Sequence, residues 1–309
     1  VGQRLSNHVP EFTTCRVPVL TQYDTSLLSN ILRQALESGH QLPTAGSRHP
    51  NDPVMPRREC GENVGFAAAN NQAFAIARGE FVLLLNSDTL VHGDVLAEAG
   101  EYMRERPDVG VFGPRVLNED GTVQPSTTGW PGLLDLLVMT CGLDRSGFGG
   151  VFDRYRQRLR DRNAPAEVAV VSGCAMFVRT EAMAGVGGLD EDFFFYGEET
   201  DWCRRFARAG WRIAYAPVGD ITHLGGGSVA KLNHRRDVML TRALVRLHEK
   251  HGGPLAGLAC SAILSTFNMS RAAFWSLASL GRSAGRAAER ARHFRRVCRD
   301  TLFARAAAR

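Results

Sequence analysis

The stretch FVLLLNSD, which runs from Phe81 to Asp88, predicts the class of the fold. Its unbroken apolar run indicates a strand buried on both faces, which is typical of a sheet covered by helices. Open α/β sheets bind their ligands at the carboxyl ends of such strands. If the strand continues, Asn86 and Asp88 point the same way, because side chains alternate. A carboxylate beside an amide suits a hard cation that also contacts phosphate oxygens, whereas a lone aspartate there more often caps a turn or helix.

Helical and strand patterns alternate along the chain on both sides of this stretch. Such alternation predicts an α/β sheet with crossover connections. The helical patterns cover NVGFAAANNQAFAIARGE, DVLAEAGEYMRERPD and EETDWCRRFARAG. The strand patterns cover VGVFGPRVL, EVAVVSGCAMFVRTEAM, which is a single strand or a hairpin pair, and WRIAYAP.

The positive charge of the chain is concentrated at its carboxyl end. The chain has 309 residues, is 44% hydrophobic and carries a formal net charge of +5. The segment from Arg282 to Arg309 holds nine arginines and two acidic residues, a net +7, so the rest of the chain carries −2. The main body therefore lacks the basic surface that a nucleic-acid partner requires. An anionic membrane surface is the better partner for this segment, and a solvated helix is an equally good interpretation.

The seven cysteines are scattered and show no CxxC spacing. This pattern favours reduced thiols over disulfides or a zinc site. No amino-terminal signal sequence is visible, so we expect a cytoplasmic location, peripheral to the inner face of the plasma membrane.

Three regions differ in their patterns. Residues 1–60 are weakly patterned, with a helix predicted from about Thr25 to Ser38, residues 61–250 carry the α/β alternation, and residues 251–309 read as helices. Between His251 and Ser270 there is no Lys, Arg, Asp or Glu. That segment is diluted with Ser, Thr, Gly and Asn, so we interpret it as an interfacial or core-packed helix rather than a membrane-spanning one.

The stretch FFFYGEETDWCRR, from Phe193 to Arg205, places aromatic rings beside carboxylates. Asp201 and Arg205 are spaced for an ion pair on one helix face. Glu199 faces away from that pair, and apolar rings beside it would raise its pKa toward the range of a general base. Acidic residues at a helix start also have a purely structural explanation in the helix dipole. His223 stands before three glycines, where a lone histidine is more often structural than a ligand.

The order of these motifs resembles the glycosyltransferase family 2 enzymes, particularly the bacterial rhamnosyltransferase-like branch. The resemblance covers about residues 61 to 250. The matching residues are Asn63-Val64-Gly65-Phe66-Ala67 with Asn70, Asn86-Ser87-Asp88, Gly113-Pro114-Arg115, Ser172-Gly173-Cys174, Gly187-Gly188-Leu189-Asp190-Glu191, Phe194, Tyr196, Glu198-Glu199-Thr200-Asp201 and His223.

This resemblance implies a GT-A fold, with a mostly parallel, Rossmann-like central sheet and a carboxy-terminal helical extension. It implies inverting transfer of a sugar, dTDP-rhamnose being one candidate donor, from a nucleotide-diphosphate sugar to a hydroxyl of a glycan or polyprenyl-linked acceptor. Asp88 and His223 would bind a divalent metal, Mn²⁺ or Mg²⁺, and Glu199 would be the catalytic base. The donor would lie along Asn63, Gly65, Asn70, Asn86 and Asp88, and the acceptor side would be lined by Phe194, Tyr196, Glu198 and Trp202.

The first 60 residues depart from the family pattern. The segment LPTAGSRHPND keeps Gly46 and Ser47 but has Thr44 where the family's nucleotide-binding aspartate stands. This departure leaves a non-catalytic GT-A domain, acting as a binding or assembly subunit, as an alternative. A glycoside hydrolase that uses Asp88 and Glu199 as its paired acids is a third hypothesis. A hydrolase, however, has no use for the Asn63-to-Asn70 nucleotide element.

Overall fold

The computed structural model describes residues 64–143, 153–157, 160–224, 232–280 and 284–302. The predictions for residues 1–60, including the helix from about Thr25 to Ser38 and the altered Thr44 position, lie outside these ranges. Asn63 and the three glycines after His223 lie outside them as well. All five cysteines in the described ranges are free thiols.

The centre of the described chain is a six-stranded sheet. The strands are β1 Phe81–Leu85, β2 Thr89–His92, β3 Val109–Leu117, β4 Thr127–Thr128, β5 Ala166–Glu167, β6 Val170–Val171, β7 Ala175–Arg179 and β8 Arg212–His223. The order in the sheet is β1–β7–β3–β8–β2, and the short strand β5 also pairs with β8. A second, two-stranded sheet joins β4 and β6.

The strand directions in the described part of the sheet differ from the prediction. Only β3 and β8 run parallel, whereas β1 with β7, β3 with β7, β2 with β8 and β5 with β8 are antiparallel. The expectation of a mostly parallel sheet is therefore wrong for these residues. The apolar run of β1 indicates burial on both faces, which the packed layers above and below the sheet provide whether the neighbouring strand is parallel or, like β7, antiparallel. The last strand is also longer than WRIAYAP and ends on His223 instead of before it.

Helices cover both faces of the sheet. Side chains alternate along β1, so Val82 and Leu84 belong to the core cluster with Trp202, while Leu83 belongs to the cluster with Met103 on the opposite face. This alternation is the expected consequence of strand geometry. The helices are α1 Phe66–Phe74, α2 Val95–Arg104, α3 Leu133–Thr140, α4 Thr180–Val186, α5 Glu198–Arg208, α6 His234–Gly252, α7 Pro254–Ala278 and α8 Ala284–Thr301.

The last three helices form the carboxy-terminal extension. Helix α7 packs against both α6 and α8, and α3 packs against α7. Gly253, with φ of +84°, separates α6 from α7, and proline at the first position of α7 is compatible with a helix start. Among the described helices none combines the length and apolar content needed to cross a bilayer. The predicted α/β class with a helical extension is confirmed, while the division at residue 250 stays a prediction.

Candidate active site

Asp88, Asn86 and His223 converge at one end of the sheet. The strand β1 ends at Leu85, and a turn carries Asn86 and Asp88 into β2. Because β2 pairs with β8, His223 lies beside this turn, with Thr89 as its partner in register. The Nε2 of His223 is 3.3 Å from Oδ1 of Asp88 and 3.3 Å from Nδ2 of Asn86. The predicted proximity of Asn86 and Asp88 thus arises from a turn instead of a continued strand.

Gln124 orients the His223 ring. Its Oε1 lies 3.1 Å from Nδ1 of His223, so Nδ1 donates and Nε2 is the ring nitrogen that faces Asn86 and Asp88. A carboxylate oxygen and an imidazole nitrogen thus face each other, and both are atom types that bind divalent metals. This pair fits a divalent cation whose remaining positions are filled by substrate oxygens, with Gln124 setting the tautomer of the histidine ligand. Within the described ranges, no cluster of three or more His, Cys, Asp or Glu side chains could hold a metal.

Glu198 and Glu199 begin α5 with carboxylates that are withdrawn from water. Glu198 is only 5% exposed, and the Oε2 atoms of both residues are buried without a hydrogen-bond partner among the described residues. Burial raises the pKa of Glu199, against the smaller effect of nearby backbone N–H groups. Burial, and then the charge of Glu199, raises the pKa of Glu198 well above its usual value. A raised pKa makes Glu199 a stronger base once it is ionised.

A turn between β6 and β7 contacts both the Asn86–Asp88 turn and Glu199. The carbonyl oxygen of Cys174 accepts a hydrogen bond of 3.0 Å from the backbone N–H of Asn86. In the same turn, a β-carbon added to Gly173 would lie 3.9 Å from Cβ of Glu199. The glutamate and the Asp88 turn therefore border the same short segment of backbone.

Tyr155 is a further neighbour of Glu199. Burial raises the pKa of Tyr155, and the negative charge of Glu199 raises it further. The Tyr155 carbonyl accepts a 2.7 Å hydrogen bond from the Gly129 N–H, which anchors this short described segment. Neither Tyr155 nor Gln124 was identified from the sequence, because both lie in loops that carry no periodic pattern.

The aromatic residues before α5 form a loop, residues 190–197, that we call the aromatic loop. Phe194 and Phe195 are exposed, and the Phe195 ring contacts the rings of Phe66 and Tyr196 edge-on. Phe193 is instead buried, in a cluster that includes Leu247 of α6. Phe194 and Tyr196 thus lie at or near the surface beside the start of α5, as an acceptor-side role requires, and that role stays a prediction.

Asp201 ties α5 to the carboxy-terminal helices. It is fully buried, and its Oδ2 accepts a 2.8 Å hydrogen bond from Nε of Arg205, so the predicted i, i+4 pair is present. Its Oδ1 lies 2.8 Å from Nζ of Lys250 and 2.8 Å from Nε2 of His251. The helical extension is therefore bonded directly to the helix that carries Glu199.

Two of the predicted site residues, Trp202 and Asn70, are buried and make hydrogen bonds within the protein. Trp202 has 0% exposure, its ring stacks on Phe74, and its indole N–H donates to the carbonyl of Gly187. Its predicted place on the acceptor side is wrong, because this helix position faces the core under the sheet. Asn70 is buried and its Nδ2 donates to the carbonyl of Phe66 within α1, so its nucleotide contact remains a prediction.

Comparison with known proteins identifies the family of the chain. A family model described as "Glycosyltransferase like family 2" matches residues 43–238, more than half of the chain. The N-acetylglucosaminyl-diphospho-decaprenol L-rhamnosyltransferase of Mycobacterium tuberculosis is 28% identical over 199 residues, covering 58% of this chain and 61% of that protein. O-antigen biosynthesis protein RfbC of Myxococcus xanthus is 25% identical, over 56% of this chain and 13% of its own length. The chain thus spans about three-fifths of the rhamnosyltransferase and much less of RfbC.

Solved structures with similar outlines include a mannosyltransferase from Pyrobaculum calidifontis in complex with GDP-Man and Mn²⁺. It aligns with a TM-score of 0.40 and 16% identity, over 77% of this chain and 67% of that one. GalNAc-T7 with UDP, GalNAc and Mn²⁺ aligns with a TM-score of 0.38 and 15% identity, over 58% and 34% of the two chains. The family match and the mixed sheet with its flanking helices bear out the predicted GT-A fold class. The chain belongs to the glycosyltransferase-like family 2.

Proposed function

We propose that this chain transfers a sugar, with inversion, from a nucleotide-diphosphate sugar to a hydroxyl group of a glycan or lipid-linked acceptor. The observation that carries the proposal is the shared position of two groups of residues at one turn. Asp88 and His223 offer facing ligand atoms at the turn that is hydrogen-bonded to Cys174, and beside Gly173 Glu199 offers a buried carboxylate oxygen with no hydrogen-bond partner among the described residues. Inverting transfer needs this division between a diphosphate-binding group and a base.

The donor would bind through its diphosphate at the Asp88 turn. Asp88 Oδ1 and His223 Nε2 would hold Mn²⁺ or Mg²⁺, and Asn86 would donate to a phosphate oxygen from the position where it now contacts His223. When bound, the metal neutralises the charge that develops on the departing diphosphate. Rhamnose is the leading candidate for the transferred sugar, because the Mycobacterium tuberculosis relative is described as an L-rhamnosyltransferase.

The chemical step would rest on Glu199. Its carboxylate takes the proton of the acceptor hydroxyl while that oxygen attacks the anomeric carbon. The bond from the anomeric carbon to the diphosphate oxygen breaks, and the nucleotide diphosphate leaves with the electron pair. A positioned base of this kind contributes a factor of about 10²–10⁴ to the rate. Phe194 and Tyr196 would present apolar surface to the acceptor beside the base.

The acceptor and the location follow from the same comparison and from the charge of the chain. The relative's description names a decaprenol-linked diphosphate sugar, so a polyprenyl-linked acceptor at the cytoplasmic face of a membrane is the proposed partner. The net +7 between Arg282 and Arg309 would favour an anionic bilayer as the place of action.

The test is release of nucleotide diphosphate from a panel of dTDP-, UDP- and GDP-sugars, with and without Mn²⁺, by the wild-type chain and two variants. Glu199→Gln removes the base and should lower turnover by about 10²-fold or more, with donor affinity largely retained. Glu101→Gln, an exposed glutamate on α2, is the matched control and should turn over normally. Normal turnover by Glu199→Gln would remove Glu199 from the base role. Metal-dependent nucleotide binding without any turnover would support the non-catalytic alternative.

A further inference from the structure

Helix α7 carries apolar residues along its exposed side. Eight exposed positions recur every three or four residues, so they form one stripe along the helix and just beyond its end: 255, 258, 262, 266, 269, 273, 277 and 280. We call this the α7 stripe. It contains no charged residue, and its leucines are open to solvent, with Leu255 81% exposed and Leu280 85%.

The inward side of α7 is already packed against the other helices. Cys260 lies in a cluster with Leu136 of α3 and Val245 of α6. The ring of Phe267 contacts the ring of Phe294 in α8 edge-on. Within the described ranges the stripe is thus the side of α7 that stays uncovered, and contiguous exposed apolar surface of this kind marks interaction sites.

The spacing of the stripe suits contact with another long helix. Positions 255, 266 and 277 are eleven residues apart, and so are 258, 269 and 280, and 262 and 273. Eleven residues complete three turns of an almost straight helix. The stripe therefore stays on one side of α7 over its whole length of about 37 Å.

The stripe also has the same arrangement when it is followed from either end. If two α7 helices lie antiparallel about a two-fold axis that passes between positions 267 and 268, each stripe position faces its counterpart in the second copy. Large residues then face large ones near the ends, and small residues face small ones between them. The facing pairs are Leu255 with Leu280, Leu258 with Leu277, Ala262 with Ala273 and Thr266 with Met269. A two-fold interface requires this kind of self-complementary surface.

The size and charge of the stripe fit a contact between identical copies. It presents five large apolar side chains, those of Leu255, Leu258, Met269, Leu277 and Leu280. At roughly 100 Å² for each of them, two copies would remove about 1,000 Å² from water, the area that a specific interface needs. Because the stripe has no charged residue, two copies meet along it without repulsion between like charges.

The composition of α7 favours a second copy over a lipid surface. Helices that lie in a membrane interface carry Lys and Arg along their polar side. The one charged residue between Pro254 and Ala278 is Arg271, whose guanidinium lies 5.2 Å from the centre of the Phe267 ring on the inward side. The matching of large and small residues across a two-fold axis, moreover, has no counterpart in a fluid bilayer.

We propose that the α7 stripe is an interface between two copies of this chain, which pair through antiparallel α7 helices about a two-fold axis. The inference rests on the exposure, spacing and symmetry of the stripe and stands without the transferase activity.

The experiment is sedimentation equilibrium of the full chain over a range of protein concentrations. We expect a wild-type dimer that dissociates on dilution. Leu258→Glu alone and Leu277→Arg alone each place a charge against a leucine of the second copy, so each should raise the dissociation constant of the dimer about tenfold or more. The two substitutions together place opposite charges face to face twice in each dimer and should recover about tenfold in affinity.

Two control variants test the register and the location of the interface. Leu258→Glu with Leu255→Arg introduces the same two charges at positions that do not face each other across the axis, so it should not recover affinity. Leu232→Gln with Leu240→Gln changes two exposed leucines outside the α7 stripe and should leave the dimer intact. Circular dichroism of every variant identifies any loss of folding.

Three results would overturn the proposal. They are a wild type that is monomeric at all concentrations, a dimer that Leu258→Glu does not weaken, and equal recovery by the facing and the non-facing charge pairs. If a monomeric wild type bound phosphatidylglycerol vesicles and Leu258→Glu abolished that binding, the occupant of the stripe would be a bilayer instead of a second copy.

Discussion

Gly65 and Phe194 are in contact across the candidate site. A β-carbon on Gly65 would lie 2.7 Å from the carbonyl oxygen and 2.9 Å from Cδ2 of Phe194, and the same oxygen accepts a 3.0 Å hydrogen bond from the N–H of Phe66. The glycine has a φ of +88°, a conformation that L side chains rarely adopt. The start of α1 thereby holds the aromatic loop, so the predicted donor element and the predicted acceptor side form one structural unit.

Gly65→Ala should move the aromatic loop. The added methyl group meets backbone and ring atoms of Phe194, and the positive φ adds strain, so we expect a loss of about 1–3 kcal/mol in the free energy of unfolding. Urea denaturation measures this loss. Gly185→Ala in α4 is the control, because a β-carbon there meets nothing within 4 Å, and it should be neutral or slightly stabilising. Equal effects of the two substitutions would contradict the contact with Phe194.

Gln124→Ala should weaken metal-dependent nucleotide binding. Without the Oε1 atom that accepts from Nδ1, the His223 ring loses the partner that sets its tautomer and orientation. Loss of such a partner typically lowers metal affinity by about 10–100-fold. Calorimetric titration of a nucleoside diphosphate with Mn²⁺ measures the change. Thr122→Ala, earlier in the same loop, is the control, and a Gln124→Ala variant that titrated like this control would leave Gln124 without a role.

Asp201→Asn should strongly destabilise the chain. The buried carboxylate accepts a hydrogen bond from Arg205 and contacts Lys250 and His251. Its neutralisation therefore removes a negative charge from beside the cations Arg205 and Lys250. Breaking a buried pair in this way costs about 3–5 kcal/mol. Asp192→Asn removes an exposed partner of Arg246 and should cost less than about 1 kcal/mol. Urea unfolding that gave equal losses would show that Asp201 is not an anchor for the helical extension.

Acidification should reduce the contribution of His248 and His251 to stability. Burial lowers the pKa of both side chains, so the unfolded chain binds their protons more readily than the folded chain does. Their contribution is therefore present above about pH 6.5 and is lost as the pH falls below it. The raised pKa values of Glu198 and Glu199 act in the opposite sense, because the folded chain binds those protons more readily.

The variant His248→Gln separates the effect of the histidines on stability from the opposing effect of the glutamates. Between about pH 7.5 and about pH 5.5, the stability of the wild type should fall relative to that of His248→Gln, by up to about 1.4 kcal/mol per pH unit. The measurement is urea unfolding of both proteins across this range. A difference between them that did not change with pH would contradict the linkage to His248.

Local patterns determined much of this protein. The apolar run before Asn86 predicted β1, VGVFGPRVL coincides with β3, and EETDWCRRFARAG contains α5 with its Asp201–Arg205 pair. Such features depend on side-chain period, propensity and spacing within a few residues, which any sequence displays directly. The order of the motifs indicates the family, and the family match over residues 43–238 confirms it.

Only the tertiary structure decided which distant residues meet. The antiparallel pairing of β2 with β8 brings His223 to Asp88, and Gln124 joins them from a loop without a pattern. The local sequence pattern also does not determine the direction of the strands, the burial of Trp202 or the exposure of the leucines of α7. Each depends on which surfaces pack together, and a periodic pattern states that a face is buried or exposed without naming what lies against it.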